Sequence, residues 1–88
     1  MNVEIKKLTQ EDLKKLGVFS WPVWEKEVSR FDWHYDSTEK AYIYEGRARI
    51  KTSSQEVEIK AGDYVTFPKG MDCSWNVIEQ IRKVYKFE

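Results

Sequence analysis

Residues able to carry chemistry are sparse in this chain. There is one cysteine, Cys73, and one histidine, His34. A thiol acts as nucleophile or soft metal ligand once it is a thiolate, and a nearby cation or helix end is what makes it one. A Cys–His pair would be the simplest such device. Alternation along Val28–Asp36 argues against it: Asp32, His34 and Asp36 fall on one face, and Phe31, Trp33 and Tyr35 on the other. His34 is therefore expected at the surface. Two stretches hold chemistry-bearing residues at fixed spacing. The first is Trp33-His34-Tyr35-Asp36-Ser37-Thr38-Glu39, followed after six residues by Gly46. The second runs from Gly62 over five residues to Pro68, then Gly70, then Cys73.

These residues need strands and turns to position them. A helix is expected only near the start, over Gln10–Leu16. Thr9 caps it, Glu11 and Asp12 suit its positive end, and Gly17 ends it. Leu8, Leu13 and Leu16 are expected to face inward. After Gly17 everything reads as strand. Val18–Trp24, interrupted by Pro22, suits an edge strand. Glu39–Glu45 and Arg47–Thr52 flank Gly46, with Ala48 and Ile50 alternating against Arg47, Arg49 and Lys51. Ser53-Ser54, Ala61-Gly62-Asp63 and Pro68-Lys69-Gly70 mark turns. Val57 and Ile59 mark a short strand, and Tyr64–Phe67 another. Cys73, Trp75 and Val77 share one face of the next, and Ile81–Phe87 is a last separate strand. Seven or eight short strands with frequent turns predict a sandwich or small barrel.

Composition narrows the function classes. Basic and acidic residues number 15 each, so the formal net charge is zero. A general nucleic-acid binder needs a basic face, so nucleic acid is not an expected partner. The rows Arg47, Arg49, Lys51 and Arg82, Lys83 read as solvated faces rather than anion sites. With one cysteine no intramolecular disulfide can form. The opening MNVEIKKLTQ lacks an apolar signal core, and no stretch approaches the roughly 20 apolar residues of a membrane span. One cytoplasmic domain over residues 1–88, with no membrane partner, is the expectation. Four tryptophans, five tyrosines and four phenylalanines supply core material, at roughly 150–250 Å² each.

The two spaced stretches resemble the signature motifs of the cupin superfamily, His-x-His-x3-Glu-x6-Gly and Gly-x5-Pro-x-Gly-x2-His-x3-Asn. Gly46, Gly62, Pro68 and Gly70 match the frame, and Glu39 keeps the glutamate. Trp33 and Tyr35 stand at the two histidine positions of the first motif, and Cys73 and Val77 at the histidine and asparagine of the second. The runs Trp21-Pro22-Val23-Trp24-Glu25-Lys26-Glu27-Val28, Thr66-Phe67-Pro68-Lys69-Gly70, Cys73-x-Trp75 and Arg82-Lys83-x-Tyr85 extend the likeness. They are similar to very small single-domain cupins grouped with the cupin domain of (S)-ureidoglycine aminohydrolase. That enzyme's manganese histidines are missing here, so the resemblance does not carry its activity over.

The resemblance implies an all-β fold: a small cupin-type jelly-roll barrel of two antiparallel sheets with one short N-terminal helix. It implies a pocket holding Glu39, Cys73 and Tyr35 as catalytic candidates, with Trp33 and Trp75 as walls. Glu39 would be acid or base, Cys73 nucleophile or ligand, and Tyr35 a hydrogen-bond donor. If a metal bound, Glu39, Cys73 and Tyr35 would be its donors, but a divalent site of this kind wants imidazoles, and a metal-free site is expected. The function implied is small-molecule binding, with possible turnover of a small polar, nitrogenous metabolite. The alternative is a non-catalytic ligand-binding or homodimeric accessory module, since cupins dimerise through sheet edges.

Overall fold

The computed structural model describes residues 2–88. Its helix, α1, spans Gln10–Leu16. The Thr9 side chain accepts from the Asp12 N–H, and the Asp12 carboxylate accepts from the Thr9 N–H in return, a reciprocal cap. Gly17 ends it at φ +75°, a left-handed turn that suits glycine. Leu13 is fully buried, but Leu16 is 46% exposed, contrary to the expected inward leucine face. Seven residues make two turns, and only one position per turn meets the sheet below.

Seven strands follow the order β1 (Glu4–Lys6), β2 (Val23–Lys26), β3 (Ser29–His34), β4 (Glu39–Lys51), β5 (Glu56–Lys60), β6 (Tyr64–Phe67) and β7 (Asp72–Phe87). All pairings are antiparallel. β4 and β7 pair along nearly their whole length and belong to both halves of the barrel. Across one half the order is β1-β6-β4-β7-β2. In the other, β5 flanks the second part of β4, and β3 flanks the first part of β7. The two sheets of the expected jelly roll are thus joined through two long strands rather than built from short separate ones. The expected break at Gly46 is instead a bend within β4, and Ile81–Phe87 is the continuation of β7.

The bend has a visible cause. The β4–β7 register shifts between Ile43 and Ala48, and such bulges increase twist and turn a strand. Gly46 sits there at φ +84°. A Cβ on it would stand 2.1 Å from the Gln80 carbonyl oxygen, so only glycine lets the strands approach. Pro22 confines β2 to the sheet's edge, as expected, but shortens it: Val18–Ser20 is a 3₁₀ turn and the strand starts at Val23. β1, absent from the sequence reading, is three exposed residues held against β6.

Two clusters fill the fold. The barrel interior holds Tyr35, Ala41, Ile43, Ala48, Ile50, Val65, Phe67, Cys73, Trp75 and Val77 among others. A smaller cluster of Leu13, Val18, Tyr64 and Val84 seats α1 on the outer face of the first half. The Arg47–Arg49 row is neutralised by Glu58 and Glu79 for Arg47 and by Glu56 and Glu58 for Arg49, which makes it the solvated face expected. Among the described residues no helix is long and apolar enough to cross a membrane.

Candidate functional site

The inward face of β7 carries Cys73, Trp75, Val77, Ile81 and Lys83, all buried. A lysine in that series is the departure that defines the site. It corrects the sequence reading, which placed Lys83 on a solvated face. Its Nζ donates to Glu39 Oε2 at 2.5 Å, and the two side chains are 6% and 5% exposed. The register sets Lys83 opposite Ile43 and Glu39 opposite Phe87, so the lysine stem must run along the interior to reach the carboxylate. Ala41, between Glu39 and Ile43 on the inward face of β4, contributes only a methyl there.

Aromatic rings surround the ammonium. Nζ lies 4.8 Å from the ring centre of Trp24, 5.0 Å from Trp75, 5.3 Å from Phe67 and 6.0 Å from Tyr85. Such faces attract a cation, more strongly where water is excluded. Glu39 is the one acceptor the ammonium reaches among the described residues, which leaves two of its three N–H groups against rings alone. Burial pulls the Lys83 pKa below the usual lysine value, with the Glu39 charge opposing that pull.

Lys83 forms the floor of a cleft of ≈ 240 Å³, walled by Trp24, Phe31, Trp33, Trp75, Tyr85 and Phe87. Trp33 and Trp75 both line this cleft. Trp33 is half-exposed at the mouth, while Trp75 is buried and stacked on Phe31 at 5.8 Å. Tyr35, Glu39 and Cys73 do not line this cleft, contrary to the expectation of one cavity for all five residues. Glu39 is reached through Lys83. Tyr35 is buried with its ring stacked on Phe67 at 5.0 Å, because its backbone is clamped to the Met71 carbonyl and the Gly70 N–H. Cys73 borders a separate open depression with Asp32, His34 and Lys51.

The electrostatics reassign the roles. Burial pushes the Cys73 thiol up to about 11, with the Trp75 indole and Lys83 opposing and Asp72 and Asp32 adding to it. A thiol so placed is protonated at neutral pH and is a poor nucleophile. Burial, then the charges of Glu39 and Cys73, drive the Tyr35 phenol far above its ordinary value, so it stays a neutral hydroxyl. His34 is exposed and bound to Asp72 at 2.6 Å on the outer face, as its alternation required.

Those facts also decide whether the residues at the cupin ligand positions fit a divalent metal. A ligand set must shed its protons to bind one. Here the thiol and phenol hold theirs, no imidazole faces inward, and the one carboxylate already carries the Lys83 ammonium. The set does not fit. Among the described residues no cluster of three or more His, Cys, Asp or Glu could hold a metal ion. The interior cation of this barrel is Lys83.

The signal for Lys83 lay in the sequence. Cys73, Trp75 and Val77 and then, past the bulge at exposed Glu79, Ile81, Lys83 and Tyr85 keep one inward phase along one long strand. Val84 hid it, because α1 buries the opposite face at that point and an apolar neighbour breaks the visible alternation.

Comparisons with known proteins agree with this frame. A DUF861-family protein from Thermotoga maritima is 50% identical over 99% of this chain and 100% of its own, with a TM-score of 0.97. The Clostridium difficile EutQ protein is 22% identical over 97% of this chain and 66% of its own, at 0.67. A protein of unknown function from Rhizobium leguminosarum is 16% identical over 96% of each chain, at 0.66. The last two show the fold alone. No curated protein matches the chain. The EutQ-like cupin domain profile matches residues 13–85, most of the barrel including Glu39 and Lys83, and the chain belongs to the EutQ-like cupin family.

Proposed function

We propose that the barrel binds a compact, flat, neutral small molecule bearing a carbonyl or amide oxygen, in the cleft over Lys83. The observation behind this reading is a buried ammonium with two N–H groups that meet no acceptor among the described residues, at the floor of an aromatic cleft. An unmatched buried donor costs roughly 1–3 kcal/mol, and a ligand oxygen would recover that. Glu39 already balances the lysine charge, so a neutral oxygen suits the site better than a full anion. The aromatic walls would clasp a planar body. At ≈ 240 Å³ the cleft falls under the roughly 300–1,000 Å³ of drug-sized pockets, which limits the ligand to a small one. Nitrogenous amides and ureides fall within this class. Any acid–base work would fall to the Lys83–Glu39 pair rather than to Cys73 or Tyr35.

Benzamide is a suitable probe, read by the fluorescence of Trp24, Trp33 and Trp75. Saturable quenching is expected, lost in Lys83→Met and weaker for benzylammonium. No saturable response, or an unchanged one in Lys83→Met, would contradict the reading.

A further inference from the structure

Lys83 is more than a hydrogen-bond donor by position. It is the one lysine on the inward face of the barrel among those described, and it lines a cleft open to small molecules. Its nitrogen touches a carboxylate at 2.5 Å, and that carboxylate faces no other cation or donor among the described residues. An amine, a proton acceptor beside it and an aromatic cleft that admits a carbonyl compound are the parts that this condensation uses.

We propose that Lys83 forms an imine with small aldehydes or ketones that enter the cleft, with Glu39 moving the protons. This rests on the binding reading above and names its reactive ligand class. In the resting pair the ammonium passes one proton to the Glu39 carboxylate. The freed lone pair attacks the carbonyl carbon, a C–N bond forms, and the C=O π pair moves onto oxygen. Glu39 returns its proton to that alkoxide. It then takes a second proton from the nitrogen of the adduct and delivers it to the hydroxyl. The C–O bond breaks, water leaves, and the nitrogen lone pair closes the C=N bond. The sum is ammonium plus carbonyl giving iminium plus water. No oxidant or reductant takes part, and the iminium inherits the contact with Glu39. The rings of Trp24 and Trp75, which face the ammonium, would face the iminium equally well.

The chamber also restrains the reverse reaction. Water that would hydrolyse the iminium must pass Trp33 and Phe87, half-exposed at the mouth, and then the walls of Trp24 and Trp75. Surface lysines such as Lys15 lack both the carboxylate at bonding distance and the shelter: Lys15 is paired loosely with Glu11 at 3.7 Å in open solvent.

The test uses benzaldehyde, the shape match of benzamide, with sodium cyanoborohydride to fix the imine as a secondary amine. Intact mass and peptide mapping of the native protein at neutral pH should place the benzyl group on Lys83 at least tenfold above any other lysine. Glu39→Gln should slow labelling at Lys83 tenfold or more while leaving the surface lysines unchanged, with near-ultraviolet circular dichroism confirming that the variant is folded. Prior addition of benzamide should protect Lys83. Labelling spread over surface lysines, with Lys83 no more modified than they are, would overturn the proposal. Saturable benzamide binding without trapping at Lys83 would remove the imine chemistry alone, and failure of benzamide to bind would strike the underlying reading.

Discussion

The Lys83–Glu39 pair makes a quantitative prediction because both members are nearly sealed from water. Removing one member of a buried ion pair leaves the other charged and unpaired, at about 3–5 kcal/mol. Replacing both with apolar residues of similar volume is often neutral or stabilising. Lys83→Met should therefore lower stability by about 3–5 kcal/mol by stranding the Glu39 carboxylate. Glu39→Leu should do likewise by stranding the ammonium, eased by the rings of Trp24 and Trp75. The double variant should return to within about 1 kcal/mol of the parent, a coupling of several kcal/mol between contacting residues. For a domain of this size each kcal/mol moves the melting temperature by roughly 4–8 °C, so the single variants should melt some tens of degrees lower. Urea unfolding at pH 7, followed by tryptophan emission, measures all four proteins. Single costs under about 1 kcal/mol, adding linearly in the double variant, would show that the two groups are solvated and do not form the pair described.

Other predictions follow from the same structure. Gly46→Ala should cost well over 2 kcal/mol, about 1–2 of it from the left-handed backbone and the rest from the clash with Gln80, whereas Gly62→Ala, with nothing within 4 Å, should cost about the backbone share alone; thermal melts of both variants check this. Leu13→Ala should cost about 2–5 kcal/mol and Leu16→Ala within about 0.5 kcal/mol, measured the same way, because only Leu13 enters the small cluster under α1. Cys73 should react with iodoacetamide at pH 8 about 100-fold more slowly than an ordinary thiol, since its pKa of about 11 cuts the thiolate fraction. Because that pKa is raised in the folded state, the thiol's contribution to stability should be complete below about pH 9 and lost as pH climbs toward 11, visible as urea midpoints that fall more steeply in the parent than in Cys73→Ala, where the buried tyrosines remain to titrate.

Local features of the fold were legible because local chemistry dictates them. The reciprocal Thr9–Asp12 cap and the Gly17 stop fixed both ends of α1 to the residue. Turns at Gly62 and Gly70 followed from glycines that adopt positive φ. The edge position of β2 followed from Pro22. Long-range features were harder to read. Gly46 looks like a turn, but it meets the backbone of the neighbouring strand β7, and the contact turns a break into a bend. β1 carries no inward residue and so no pattern. Glu39 was singled out by motif spacing, yet its partner sits 44 residues away on the far side of the ladder. Lysine also reads as a surface residue by default, and only the inward phase of β7 overrides that default. The sequence reading thus singled out one member of the buried pair and placed the other on a solvated face.

The central claim is that the cation at the heart of this barrel is the Lys83 side chain, held by Glu39 in an apolar chamber. Nitrogen-15 NMR of the lysine side chains across pH 6 to 12 addresses it most directly. The account predicts one Nζ resonance with slowly exchanging protons, assigned by its loss in Lys83→Met, that titrates below the usual lysine value because burial disfavours its charge. A spectrum in which every lysine exchanges rapidly and titrates together near the ordinary lysine value would contradict it.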